Sequence, residues 1–117
     1  MELDYSVRAV ARYVRISPQK IRLLLDQVRG KGVEEGLAIL RFMPQRAAGP
    51  VAKLIRSAAG NAEDRYGFGL DELYIAEIYA DDGPRMRRHR FGARGRVKPR
   101  LRRAAHITVV LGLRSAA

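Results

Sequence analysis

Cysteine and tryptophan are absent from this chain, and no acidic residue follows Asp82. The lack of cysteine excludes disulfides, thiolate metal sites and cysteine nucleophiles together. Long apolar runs are missing too: none approaches the ~20 residues that a membrane-spanning helix needs, so no membrane partner is expected. The first ten residues, MELDYSVRAV, begin with acids where a secretory leader would carry a basic and then an apolar region, and no signal peptide is readable. The GFG at 67–69 has no Lys-Ser/Thr behind it and so lacks the groups of a phosphate-cradling loop. A cytosolic location fits these absences.

The disappearance of acids divides the chain in two. Residues 1–82 hold twelve basic and twelve acidic side chains, which cancel. Residues 83–117 hold eleven basic ones and no acid, and so carry the entire net charge of +11. Arginine outnumbers lysine by 19 to 4, as codon bias would produce, but codon bias does not remove carboxylates from one segment. The length, 117 residues, and the apolar content, 47%, support one compact domain. Physically, a neutral body folds and a basic segment must find its anions elsewhere.

Helical spacing is clear in the first half. ISPQKIRLLLDQVRGK places Ile21, Leu24, Leu25 and Val28 on one face, with Ser17 as cap, Pro18 in the first helical position and Gly30 just past the end. Val33, Leu37 and Leu40 repeat the pattern over a shorter helix that Met43-Pro44 should end. A longer helix carries Val51, Leu54, Ile55, Ala58 and Ala62, and Pro50 either starts it or bends it. Gly67 and Gly69 break the pattern. Three segments read as strands: 6–14, whose alternation is muddled, 72–80, and 106–113 with Ile107, Val109, Leu111 and Leu113 on one face. Strands at both ends around a run of helices predict an α+β fold, a small sheet covered on one face.

Between the last two strands lies GPRMRRHRFGARGRVKPRLRR, residues 83–103, with ten Arg and Lys and no acid. Glycine at 92 and 95 marks its midpoint, so the economical reading is a long hairpin continuing both strands. Each side has about eleven residues, a reach of roughly 35 Å at ~3.3 Å per residue, against a body radius of only ~13 Å. The body is then 1–82 plus 104–114, and the protruding arm is 83–103. Many facing pairs in such an arm are Arg against Arg, and Met86, Phe91, Val97 and Leu101 offset little of that repulsion. In isolation the arm is expected to be mobile; against nucleic acid each guanidinium meets phosphate or stacks on a base.

Signals for catalysis are weak. His89 and His106 lie in or beside the arm, with no carboxylate close in sequence and no metal-ligand spacing, and read as base contacts or plain surface residues. Glu77 with Asp81-Asp82 has the composition of a metal-dependent nuclease cluster, but solvated turn residues are the simpler reading. No enzyme is expected, and no cofactor or metal. Arg15, Lys20 and Arg22 flank the first helix start, whose free N–H groups make either an anion site or an ordinary cap.

Three stretches, ARYVRISPQKIRLLLDQVRGK, PVAKLIRSAAGNAE and IYADDGPRMRRHRFGARGRVKPRLRRAAHITVVLG, together resemble the bacterial-type large-subunit ribosomal protein number twenty-two family, from about Ala11 to Gly112. The resemblance implies three helices packed on a three-stranded antiparallel sheet, with a long basic hairpin. It implies a structural role in the large subunit: the body touches large-subunit rRNA and neighbouring ribosomal proteins, and the hairpin tip lines the nascent-polypeptide exit tunnel. Carried over residue by residue, the rRNA-binding set is Arg15, Ser17, Lys20, Arg22, Arg85, Arg87, Arg88, Arg90, Arg94, Arg96, Lys98, Arg100, Arg102, Arg103 and His106. The tunnel tip is Arg88, His89, Arg90, Phe91, Gly92, Ala93, Arg94, Gly95 and Arg96. The chain is then a monomer within the ribosome. Two departures stand out: Phe91-Gly92 replaces the family's Pro-Arg, and Ala104-Ala105 replaces Thr-Ser, removing two possible hydroxyl contacts. The rival class is an architectural DNA- or RNA-binding protein with a basic β-arm.

Overall fold

The computed structural model describes residues 6–83, 86–91, 97–102 and 104–113, with 86–91 and 97–102 as backbone. In chain order the elements are β1 (Ser6–Val14), α1 (Pro18–Leu25), α2 (Val33–Arg41), α3 (Ala48–Tyr66), β2 (Leu73–Asp82), β3 (Met86–Phe91), β4 (Val97–Arg102) and β5 (Ala105–Leu113). An antiparallel sheet in the order β1-β5-β2 forms the body, and β3 and β4 form a separate antiparallel ribbon. The expected α+β class, three helices with a three-stranded sheet, is what the chain adopts.

The helices cover one face of the sheet. Ala105, Ile107, Val109 and Leu111 on β5 alternate into the core and are fully buried. They meet Ile21, Leu24 and Leu25 of α1, Val33 and Leu40 of α2, and Val51, Leu54, Ile55, Ala58 and Ala62 of α3. On β2 the buried positions are Leu73 and Ile75, then Ile78 and Ala80. The phase changes because the register shifts between Ile75 and Glu77: Ile75 pairs with Leu111 and Glu77 with Val110, so Ala76 is the extra residue of a bulge. Without it, Ile78 and Ala80 would fall on the open face.

The muddled alternation of β1 has a similar cause. Its register slips between Ala11 and Val14, and Tyr13 within the slip has φ 59°. A bulky residue there is strained, and it persists because its N–H donates to His106 Nδ1 at 3.1 Å.

Two helix ends differ from expectation. α1 stops at Leu25, and 26–30 continue as turns, because tertiary bonds take over: Gly30 N–H donates to the Ile75 carbonyl at 3.0 Å and Ile75 N–H to that of Lys31 at 2.8 Å. Gly30 closes this segment at φ +80°. Ser17 precedes α1 but makes no side-chain cap bond. Pro50 lies in the first turn of α3, where its missing N–H has no helical partner to lose, so it starts this helix rather than bending it. At the far end Gly67 adopts the left-handed conformation and its N–H donates to the Glu63 carbonyl at 2.8 Å.

The molecule extends 66 × 26 × 24 Å, with a radius of gyration of 17.3 Å against ~13 Å for a compact chain of this length. No helix among the described residues is long and apolar enough to cross a membrane.

Leu25→Ala, at a fully buried position, is expected to lower unfolding free energy by about 2–5 kcal/mol. Leu23→Ala, at a position 70% exposed, should stay within about 0.5 kcal/mol of the parent. Urea denaturation followed by circular dichroism measures both.

Candidate nucleic-acid interface

At the root of the arm, Gly83 N–H donates to the Ala104 carbonyl at 2.8 Å. The next pair is Met86 with Arg102. Two residues, Pro84 and Arg85, separate these pairs on one strand, and one, Arg103, on the other. The ribbon ladder is therefore one residue out of step with the body ladder, rather than a simple continuation of both strands. Proline has no N–H to contribute to a ladder, and Pro84 stands in that interval.

Within the ribbon the register sorts the residues. Met86 pairs with Arg102, Arg88 with Arg100, and Arg90 with Lys98; alternating with these, Arg87 pairs with Leu101, His89 with Pro99, and Phe91 with Val97. Alternate residues of a strand share a face. One face thus collects five of the six Arg and Lys in these pairs, while Arg87 falls on the other with Leu101, Pro99, Val97 and Phe91. Pro99 fits a two-stranded ribbon, in which every strand is an edge. Of the expected site residues, Arg85, Gly92, Ala93, Arg94, Gly95, Arg96 and Arg103 lie outside the described residues.

The body-side residues fall into two groups. Arg15, Ser17 and Lys20 line one cavity of about 710 Å³, together with Ile16, Leu24, Met43, Gln45 and Arg46. The start of α1 is a poorer anion site than its sequence implies. Pro18 carries no N–H, and those of Lys20 and Ile21 donate to the Ser17 carbonyl at 3.1 and 3.2 Å. Cations and the cavity, rather than bare helix donors, are what this edge offers.

Arg22 and His106 do internal work. Arg22 Nε donates to the Ala80 carbonyl at 3.0 Å, tying α1 to β2. Arg29, which sequence reading passed over, donates from Nε and Nη2 to the Ile78 carbonyl at 3.3 and 2.9 Å. His106 Nδ1 accepts from Tyr13 N–H, and the two rings meet edge to face, centroids 5.0 Å apart. His106 is paired with Asp81 across the sheet, so a carboxylate distant in sequence is near in the fold. No group of three or more His, Asp or Glu fit to hold a metal occurs among the described residues. Ala104 and Ala105 are buried. Hydroxyls at those positions would sit inside the body, so the exchange with Thr-Ser alters packing and not a surface contact.

Arg46 was not singled out from the sequence, and Met43 was read there only as the end of the second helix. Nothing in the local pattern distinguishes Arg46 from other surface arginines, because the cavity is assembled from three separated segments.

Fold and charge define a class: a small α+β body bearing an arginine-rich two-stranded ribbon. The chain belongs to the ribosomal protein L22p/L17e family, which it matches over residues 9–112. It is 53% identical over 104 residues to the large ribosomal subunit protein uL22 of Thermoanaerobacter sp. (strain X514), covering 89% of this chain and 94% of that one. The uL22 of Thermomicrobium roseum is 50% identical over 105 residues, 90% and 89% of the two chains. That of Desulfosudis oleivorans is 50% identical over 110 residues, 94% and 96%. Membership makes the chain a structural ribosomal protein of the large subunit and not an enzyme.

His106→Ala removes the acceptor of the Tyr13 N–H, an exposed bond that water partly replaces, and should lower unfolding free energy by about 0.5–1 kcal/mol. His106→Asn, whose side-chain oxygen takes the place of Nδ1, should recover part of that. Thermal unfolding of the two variants beside the parent checks the order.

Proposed function

We propose that the chain binds large-subunit rRNA through the ribbon and the α1 edge, aids subunit assembly, and lines the nascent-polypeptide exit tunnel with residues 88–96. The observation that carries this reading is the concentration of ten cations without an acid in residues 83–103, on a ribbon whose register puts five of the six paired cations on one face. The body, 1–82 with 104–114, acts as the anchor, and 83–103 as the arm.

The mechanism is electrostatic and geometric. Each arginine of the arm (85, 87, 88, 90, 94, 96, 100, 102 and 103), with Lys98, neutralises phosphate, and the guanidinium fork suits phosphate oxygens. Released counterions supply the driving force. An arm held this way ties together RNA segments that repel one another. Arg15, Ser17 and Lys20 extend the contact onto the body, and Arg22 and His106 add the groups left over from their internal bonds. The less charged ribbon face, with Phe91 and Val97, suits a tunnel wall that must not hold a passing peptide by charge. Its partners are rRNA, neighbouring ribosomal proteins and the nascent chain, in cytoplasmic ribosomes.

A photo-cross-linking residue at position 91 tests this in ribosomes stalled on a labelled nascent chain. The expected result is a cross-link from 91 to the nascent chain and none from position 66 on the body, in subunits that keep the protein through a high-salt wash. Cross-links from 91 only to proteins of the outer surface, or loss of the chain in the wash, would contradict the tunnel assignment.

A further inference from the structure

The cavity beside α1 combines two properties that bare phosphate contact does not require. Arg15, Lys20 and Arg46 line it, and among the described residues no carboxylate does. Ile16, Leu24 and Met43 also line it, so that apolar surface and cations share one cavity. Leu24 is buried, while Ile16 and Met43 are half-buried. Its volume, about 710 Å³, is in the range of small-molecule sites. A phosphate alone needs only the cations, and an apolar peptide side chain needs no cations. A nucleotide needs both.

We infer that this cavity receives one unstacked base of a single-stranded RNA segment against Ile16, Leu24 and Met43, with the flanking phosphates held by Arg15, Lys20 and Arg46. Sequence-specific RNA recognition takes place mostly on splayed single-stranded bases, which need an apolar or planar surface and polar groups for their edges. Gln27 and Gln45, also in the lining, carry amides that donate and accept and so match base edges. No aromatic ring lines the cavity among the described residues; the guanidinium planes of Arg15 and Arg46 are the lining groups able to stack on a base. The three lining cations, with no carboxylate among the described lining residues, favour RNA over a basic protein segment. The inference rests on the RNA-binding reading and adds that the body reads a base as well as phosphates.

Methyl NMR on the full chain tests it, observing Ile16, Leu24 and Met43 as hexauridylate or hexaadenylate is added, and in parallel as inorganic polyphosphate of matched charge is added. A base entering the cavity shifts these methyls by its ring current, and polyphosphate cannot. The expected result is methyl shifts with RNA only. Arg46→Glu should weaken the apparent affinity of that response at least about fivefold, while the backbone amides of 86–102 respond as in the parent. Met43→Gln, which makes the apolar lining polar without adding a charge beside the cations, should diminish the methyl response at Ile16 and Leu24. Equal methyl shifts with polyphosphate would overturn the inference in favour of a phosphate-only site. Silent methyls while amides 86–102 respond to RNA would also overturn it, leaving the cavity to a neighbouring protein and the RNA-binding reading intact. If neither the methyls nor the amides respond, that wider reading fails as well.

Discussion

Repulsion between like charges on a two-stranded ribbon is the constraint on which the rest of this protein depends. Arg88 is paired with Arg100 and Arg90 with Lys98. Two unit charges about 5 Å apart in water repel by about 0.8 kcal/mol, reduced further by salt. A ribbon of two strands has almost no reserve against even that cost. The ribbon therefore needs counter-charge from outside, and the chain has none to lend. The twelve carboxylates all precede residue 83, where they balance the cations of the body.

The body, in turn, folds on apolar contacts of its own helices and sheet. Its core runs from Val7 to Leu111 and includes side chains from all three helices and all three strands of the sheet. Two bulges tune that sheet. The one at Ala76 keeps Ile78 and Ala80 on the core face, and the one at Tyr13 turns the chain towards α1 beside the root of the arm. Gly83 and Ala104, bonded to each other, mark where the core ends and the charged ladder begins. In the function proposed above, stability lies in the body and recognition on the arm and the α1 edge.

Much of this was legible in the sequence, for reasons that local chemistry explains. Ser6–Val14 was found to the residue because Val and Tyr favour strands, and the third helix was found because Val51, Leu54, Ile55 and Ala58 keep a helical period. What escaped was set by contacts between distant segments. The early end of α1 depends on Gly30 and Lys31 bonding to Ile75, and on Arg29 reaching Ile78. The slip in β1 depends on His106, 93 residues away. The offset at the root of the arm follows from unequal spacing between two ladders, which no periodicity reveals. The cavity lining comes from around residues 15–17, 20–27 and 43–47, and only folding brings Arg46 into one cavity with Lys20. The cation-rich arm was plain in the sequence; the sorting of its charges by face required the register.

The most direct measurement is the salt dependence of binding to a large-subunit rRNA fragment, for the full chain and for a variant in which an Asn-Gly turn replaces residues 84–103 between the bonded Gly83 and Ala104. Each phosphate contact contributes about 0.7–0.9 to the slope of log affinity against log salt. The account predicts that the variant melts within about 5 °C of the parent, a shift of roughly 1 kcal/mol, while its slope falls by about 5 or more. An unfolded variant, or a folded one with an unchanged slope, would contradict the division between a self-sufficient body and an arm whose charge is met by RNA.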